Sequence, residues 1–106
     1  MQVNKAKILE HFDNDEELLQ DLVMVFEDSY PNDMAMIEKS IAASDFPNLQ
    51  LYAHSLKGSL SHFFVDELHL LAKELEDDGR NKCLDHQNNF TVLKDQIPKL
   101  IQELKK

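Results

Sequence analysis

The sequence is poor in the residue types that form disulfides, turns and sheets. Its 106 residues include one cysteine, two glycines and three prolines. The lone Cys83 excludes an internal disulfide. No segment alternates apolar and polar residues between turn signals, as a strand does. Together these absences predict an all-α protein.

Basic residues are also few, and long apolar runs are missing. The chain has 11 Lys and Arg against 20 Asp and Glu, and its net charge of −9 opposes binding to nucleic acid and to anionic membranes. No apolar run has the length of a membrane span, and no signal-peptide pattern is present. We therefore expect a cytoplasmic protein whose partner is another protein or a small ligand.

The residues that are present indicate one helical domain. Apolar residues make up 42% of the chain, which is enough for a single compact core in a domain of this length. Their spacing predicts a short helix over residues 5–12, followed by four long amphipathic helices. Short connections between long helices are typical of an antiparallel, up-down-up-down four-helix bundle. The short N-terminal helix then caps this bundle.

Capping and breaking residues predict where the long helices begin and end. Residues 13–15 and then Ser44 or Asp45 can cap the first two, and Asp85 or Asn88 can open the last. Pro31 should bend or break the first long helix near Tyr30, because proline removes an internal hydrogen bond. The third begins near Phe64 and ends at Asp78-Gly79, where the glycine suits a left-handed cap.

The most informative stretch sets Gly58 inside the second long helix. A glycine there costs about 0.5–1 kcal/mol relative to alanine, so something other than helix formation should explain it. On a helix, Lys57 and Gly58 lie one turn beyond His54 and on the same side. An imidazole, an ammonium group and a low surface together suit a nucleophilic histidine that a partner must approach closely.

A nucleophilic histidine needs a carboxylate that holds the proton on its other ring nitrogen. Glu76 is our candidate, on a polar stripe that also carries His69 and Lys73 and could border His54. Lys57 would pair with a phosphoryl group attached to His54. Leu51, one turn before His54, is either a core residue or an exposed docking contact. The predicted partner contacts around the histidine are Leu51, Ser55, Gly58, Ser59, Ser61 and Lys73.

A metal site has little support in the sequence. His62, Asp66 and His69 are conceivable ligands, but no two histidines are four residues apart and neither HExxH nor CxxC occurs. The acidic residues Glu74, Asp77 and Asp78 are most simply a solvated face. We therefore predict no metal and no cofactor in this chain.

Two motifs carry a resemblance to a known family. The run Ala53-His54-Ser55-Leu56-Lys57-Gly58-Ser59, followed by Leu75-Glu76-Asp77-Asp78-Gly79-Arg80, resembles the AHxLKGS and LExxGR patterns of the histidine-containing phosphotransfer (HPt) domain. The resemblance implies a single HPt-like domain over residues 1–106. It also implies that His54 is the phosphoacceptor, Lys57 the phosphate-stabilising cation, Gly58 the clearance residue and Glu76 the group that orients the ring.

The chain departs from the family pattern after the first motif. The family usually has a glycine ten residues after its histidine, where this chain has Phe64. We expect this difference to affect the turn between the two motif helices.

The resemblance also implies a function and its partners. The chain would be a phosphorelay intermediate without kinase activity, which exchanges phosphoryl groups with response-regulator receiver domains. It would act downstream of a sensor histidine kinase, either simple or hybrid. Mg²⁺ is expected in the receiver domain rather than here. We expect a monomer, because the apolar seams are used inside one bundle. A second hypothesis is a phosphorylation-independent helical module that docks on a kinase or receiver domain and inhibits it.

Overall fold

The computed structural model describes residues 1–106, and its only regular structure is helical. Contacts link α2 to α3, α3 to α4, α4 to α5 and α5 back to α2, so the four long helices close a bundle. The prediction of an all-α helical bundle is confirmed. A single 3-10 turn, Ser61–Phe63, follows α3, and the helices are α1 (Lys5–His11), α2 (Glu16–Ala43), α3 (Phe46–Leu60), α4 (Asp66–Asn81) and α5 (Asn89–Leu104).

One continuous core of 20 buried apolar residues runs through the bundle. In α3 the buried positions are Leu49, Ala53, Leu56 and Leu60, which are completely inaccessible to solvent. This seam fixes the rotation of α3 about its axis. Because successive residues of a helix point about 100° apart, His54 turns away from the core that its neighbour Ala53 enters.

Two aspartates cap the helices that carry the core. The side chain of Asp15 accepts a hydrogen bond from the Leu18 backbone N–H at 3.0 Å, and Asp45 does the same for Asn48 at 3.3 Å. Asp13 and Asn14, the other two cap candidates before α2, instead form the turn before it, with φ of 55° and 57°. Of the two candidates for α5, Asn88 occupies the N-cap position, and its side chain makes no capping bond.

Pro31 does not break α2. The helix is continuous over its 28 residues, with the proline inside it. A helix of that length is about 42 Å long, and the longest dimension of the molecule is 41 Å. The core contacts along its whole length outweigh the one hydrogen bond that proline removes. Of the predicted bend or break at this position, the break is therefore wrong.

Gly79 does not end α4. The helix continues to Asn81, and Lys82 adopts the left-handed conformation that we assigned to the glycine. A Cβ atom at Gly79 would lie 2.5 Å from the backbone nitrogen of Gln50, a distance that real Cβ atoms essentially never show. The glycine therefore serves the close approach of α4 to α3 rather than a turn. None of the helices has the length and apolarity needed to cross a membrane.

The departure from the family pattern at Phe64 lies in the turn before α4. Phe64 takes the left-handed conformation, with φ of 54° and ψ of 39°. This conformation is strained for any residue other than glycine, because the Cβ atom lies too close to the backbone carbonyl oxygen. Its half-buried ring packs edge-on against His11, with ring centroids 5.2 Å apart, and the Lys7 ammonium lies 5.0 Å from the ring centre. Phe64 thus joins the turn to α1, which a glycine cannot do.

Replacing Phe64 separates the strain from the packing. Phe64→Ala loses the contacts with α1 and keeps the strained backbone, whereas Phe64→Gly loses the same contacts and relieves the strain. We expect the glycine variant to be more stable than the alanine variant by about 1 kcal/mol. Urea denaturation of both variants measures the difference. Equal stability, or a more stable alanine variant, would show that the left-handed backbone carries no strain here.

A second structural feature joins α4 to the connection before α5. The Asp78 side chain is almost completely buried, and its carboxylate accepts hydrogen bonds from the backbone N–H of His86 and from Nδ1 of the same residue, both at 2.7 Å. The hydrogen bond that the imidazole donates to the Asp78 carboxylate raises the pKa of His86 above its usual value. Asp78 is therefore not part of a solvated acidic face, and that prediction is wrong for this residue.

This pair makes the stability depend on pH. A raised pKa in the folded state means that His86 contributes its full stabilisation below its unfolded pKa of about 6.5 and loses it as the pH rises through the raised value. We expect the melting temperature to fall over that interval, and to fall less in His86→Gln. Thermal melts across pH, with an NMR titration of the imidazole, measure both. Identical pH profiles in the two proteins would contradict this account.

Candidate functional site

His54 lies on the outer side of α3, with 65% of its side chain exposed. Its Nδ1 atom is 2.6 Å from Oε2 of Glu76 on α4. An ionised carboxylate can only accept hydrogen bonds, so it holds the imidazole proton on Nδ1 and leaves the lone pair on Nε2. Nε2 makes no hydrogen bond within the chain. When the imidazole is neutral, the arrangement presents a free Nε2 lone pair to solvent.

Glu76 is the buried member of this site. Only 4% of the residue is exposed, so it does not lie on a polar stripe as the sequence predicted. Its Oε1 accepts a hydrogen bond from Lys57 Nζ at 2.7 Å, while Oε2 contacts His54. Burial raises the pKa of the Glu76 carboxyl, but the hydrogen bonds from Lys57 and His54 outweigh this effect, and the pKa is lowered overall. The carboxylate therefore stays ionised at neutral pH.

The close contact between α3 and α4 sets the distance across the site. Gln50 lies one turn before His54 on α3, and Gly79 lies about one turn after Glu76 on α4. The missing side chain of Gly79 lets the two backbones meet at that level. A larger residue would separate the helices just below the 2.6 Å contact between His54 and Glu76.

Arg80 also belongs to the site, although we assigned it no role from the sequence. Its guanidinium lies 3.9 Å from Glu76 Oε2 and pairs with Asp77 at 2.8 Å. Its position in the sequence could have indicated this role, because Arg80 ends the second motif and lies one turn after Glu76 on the same side of the helix. Arg80 and Leu51 line an open cleft beside the histidine, which is formed by Pro47, Gln50, Leu51, His54, Glu76 and Arg80.

Leu51 and Gly58 are two exposed predicted contacts on α3, each about one turn from His54. Leu51 is 57% exposed, so of its two open interpretations the structure excludes the core position. Gly58 is exposed, and a Cβ atom built on it meets nothing within 4 Å. No contact inside the molecule requires a glycine at this position.

Most of the chain matches the model of a known protein family. The model described as the Hpt domain matches residues 21–106. The chain belongs to the Hpt domain family. The match begins within α2 and includes both motif helices, so the predicted family is confirmed. Searches of curated proteins and of solved structures found no match to the chain.

Family membership establishes the general function. Hpt domains are phosphocarrier modules of two-component signalling and are not kinases. They interact with the receiver and kinase domains of those systems. The geometry around His54 is the part of this Hpt domain that suits such a task.

The remaining predicted contacts of this Hpt domain are three serines, whose hydroxyls are bound within the chain, and Lys73. Three serine hydroxyls donate hydrogen bonds within the chain: Ser55 to Asp33, Ser59 to the Ser55 carbonyl and Ser61 to the Gly58 carbonyl. Lys73 is exposed, makes no hydrogen bond or ion pair, and does not line the cleft. Lys73 lies about one turn before Glu76 on α4, and its contact with a partner stays a prediction.

One group of side chains in this Hpt domain has the spacing of metal ligands. Asp78, Cys83 and Asp85 each place a ligand atom within 4.8 Å of the others, near the end of α4. The Asp78 carboxylate is already used by His86. His62, Asp66 and His69 do not form such a group.

Gly58→Ala tests whether the glycine serves the fold. Because nothing in the chain contacts the added methyl and alanine is the better helix former, we expect the variant to be more stable by about 0.5–1 kcal/mol. Urea denaturation measures the gain. A loss of stability would mean that the glycine has an internal structural role that its open surroundings do not show.

Proposed function

We propose that this Hpt domain is a phosphorelay intermediate. His54 accepts a phosphoryl group from the aspartate of one receiver domain and passes it to another response regulator. The observation that carries the proposal is the 2.6 Å contact between Nδ1 of the exposed His54 and the buried carboxylate of Glu76. This contact supports attack from Nε2, because it holds the proton on the opposite nitrogen.

The transfer needs no proton to leave the ring. The Nε2 lone pair forms a bond to the phosphorus of the partner's aspartyl phosphate, and the bond from phosphorus to the aspartate oxygen breaks with its electron pair. The ring gains positive charge and keeps its Nδ1 proton, which the Glu76 carboxylate continues to accept. A charge-assisted hydrogen bond stabilises this cationic ring in both directions of transfer.

Two cations flank the ring. Lys57 is bound to Glu76 before transfer and is the group we assign to the phosphoryl oxygens afterwards. Arg80 is exposed at the opposite side of Glu76 and can offer a second positive charge to the same oxygens. Leu51, Ser55, Gly58, Ser59, Ser61 and Lys73 form the surface that we assign to partner contact.

The chain itself supplies only the acceptor and its surroundings. We propose that Mg²⁺ comes with the receiver domain and that no cofactor binds here, since positioning and charge neutralisation are the main requirements of phosphoryl transfer. Hpt proteins are typically cytoplasmic, and we propose the same compartment for this one. We propose a monomer, since the apolar seams of the long helices form one internal core.

His54→Gln tests the proposal directly. Incubation with phosphorylated receiver domains and Mg²⁺ should give an acid-labile, base-stable phosphate on the wild type and none on the variant. His62→Gln is the matched control, because it removes another exposed imidazole from the same chain and should keep full labelling. Circular dichroism and thermal melting should not distinguish the variants from the wild type, since His54 lies outside the core and the glutamine amide can donate a hydrogen bond to Glu76 in its place.

Label on His54→Gln would contradict the proposed acceptor. The second hypothesis, a phosphorylation-independent module that inhibits a kinase or receiver, predicts a different result. It requires that His54→Gln binds its partner with unchanged affinity and that the wild type carries no phosphohistidine. Slower transfer by Gly58→Ala, despite its higher stability, would separately support a clearance role for the glycine.

A further inference from the structure

A second buried carboxylate lies beside the phosphoacceptor, on the opposite flank of α3 from Glu76. Asp33 of α2 is only 8% exposed, and its Oδ2 accepts a hydrogen bond from the Ser55 hydroxyl at 3.0 Å. Ser55 directly follows His54. The two carboxylates therefore flank the exposed ridge of α3, one reaching it from α4 and the other from α2.

Asp33 differs from Glu76 in having no cation. Glu76 is within 4.0 Å of Lys57, Arg80 and His54, whereas Asp33 forms no ion pair with any residue of the chain. Its Oδ1 accepts no hydrogen bond. Because no fully buried side-chain oxygen lacks a partner in this structure, Oδ1 must reach solvent. A carboxylate in this position is costly to bury and is open to a cation from outside the molecule.

The position of Asp33 puts it within reach of a docked partner. A typical interface covers about 800 Å² on each partner, which is a roughly circular patch about 16 Å in radius. Centred on His54, such a patch includes its chain neighbour Ser55 and extends over the 3.0 Å hydrogen bond to Asp33. A receiver domain that reaches His54 therefore covers Asp33 and removes the remaining water from Oδ1.

We propose that Asp33 is a specificity residue of the docking face, where its carboxylate binds a lysine or arginine side chain of the receiver domain. This inference rests on the proposed phosphotransfer at His54. Receivers with a lysine or arginine that lies opposite Asp33 in the docked complex pair with the carboxylate as it loses water. Receivers with a neutral or acidic residue there leave it buried and unpaired, which lowers their affinity.

Asp33→Asn removes the charge and keeps an oxygen that can accept from Ser55. Asp28→Asn is the matched control. Asp28 is exposed on the same helix and makes no hydrogen bond, and its substitution changes the net charge by the same amount. Initial rates of label transfer to His54 are measured against the concentration of each receiver domain that phosphorylates the wild type, at low and high salt. Thermal melting of each variant tests the fold.

For receivers with a basic docking residue, we expect Asp33→Asn to raise KM roughly tenfold, with kcat unchanged and a weaker dependence on salt. Receivers without that residue should bind the variant as well as the wild type or better. Three results would overturn the inference. The first is an identical KM for Asp33→Asn and Asp28→Asn. The second is an equal rise in the KM of Asp33→Asn with every receiver at both salt concentrations, and the third is a fall in kcat alone.

The two proposals fail in different ways. If no receiver labels the wild type at His54, the phosphorelay function is wrong and the docking role falls with it. If receivers label the wild type and Asp33→Asn alike, with the same KM and salt dependence, only the docking role of Asp33 is wrong.

Discussion

The site depends on one buried carboxylate held between two nitrogen donors. Glu76 is almost inaccessible to solvent, yet its two oxygens contact His54 and Lys57 at 2.6 Å and 2.7 Å. Burying a carboxylate is costly unless such partners are present. The same contacts orient the imidazole and hold the lysine beside it. The interaction that makes the buried charge tolerable is thus also the one that prepares His54 for chemistry.

The two glycines of the chain support this site in opposite ways. Gly79 lets α4 touch the backbone of α3, where any side chain would collide with Gln50. Gly58 has open space around it, so it lowers the stability of the helix and makes no close contact that would compensate. One glycine therefore serves packing between helices, and no contact inside the molecule explains the other.

Particular residues show where sequence reasoning succeeded and where it failed. Apolar spacing identified the buried seam of α3, and one of the two predicted cap candidates, Asp45, caps it, because both features depend on residues close in the chain. Pro31 and Gly79 were misinterpreted for one reason. Local rules treat proline and glycine as helix breakers, but core contacts along α2 and the packing of α4 on α3 keep both residues inside helices.

By itself, the sequence determined the helical class, the faces that enter the core and the family, because periodicity and motifs are properties of neighbouring residues. Only the tertiary structure decided that Glu76 is buried, that Arg80 joins the site, and that Asp33 lies without a cation beside Ser55. Burial and pairing depend on how closely helices distant in the chain approach each other. That distance follows from side-chain packing between them, which no local pattern encodes.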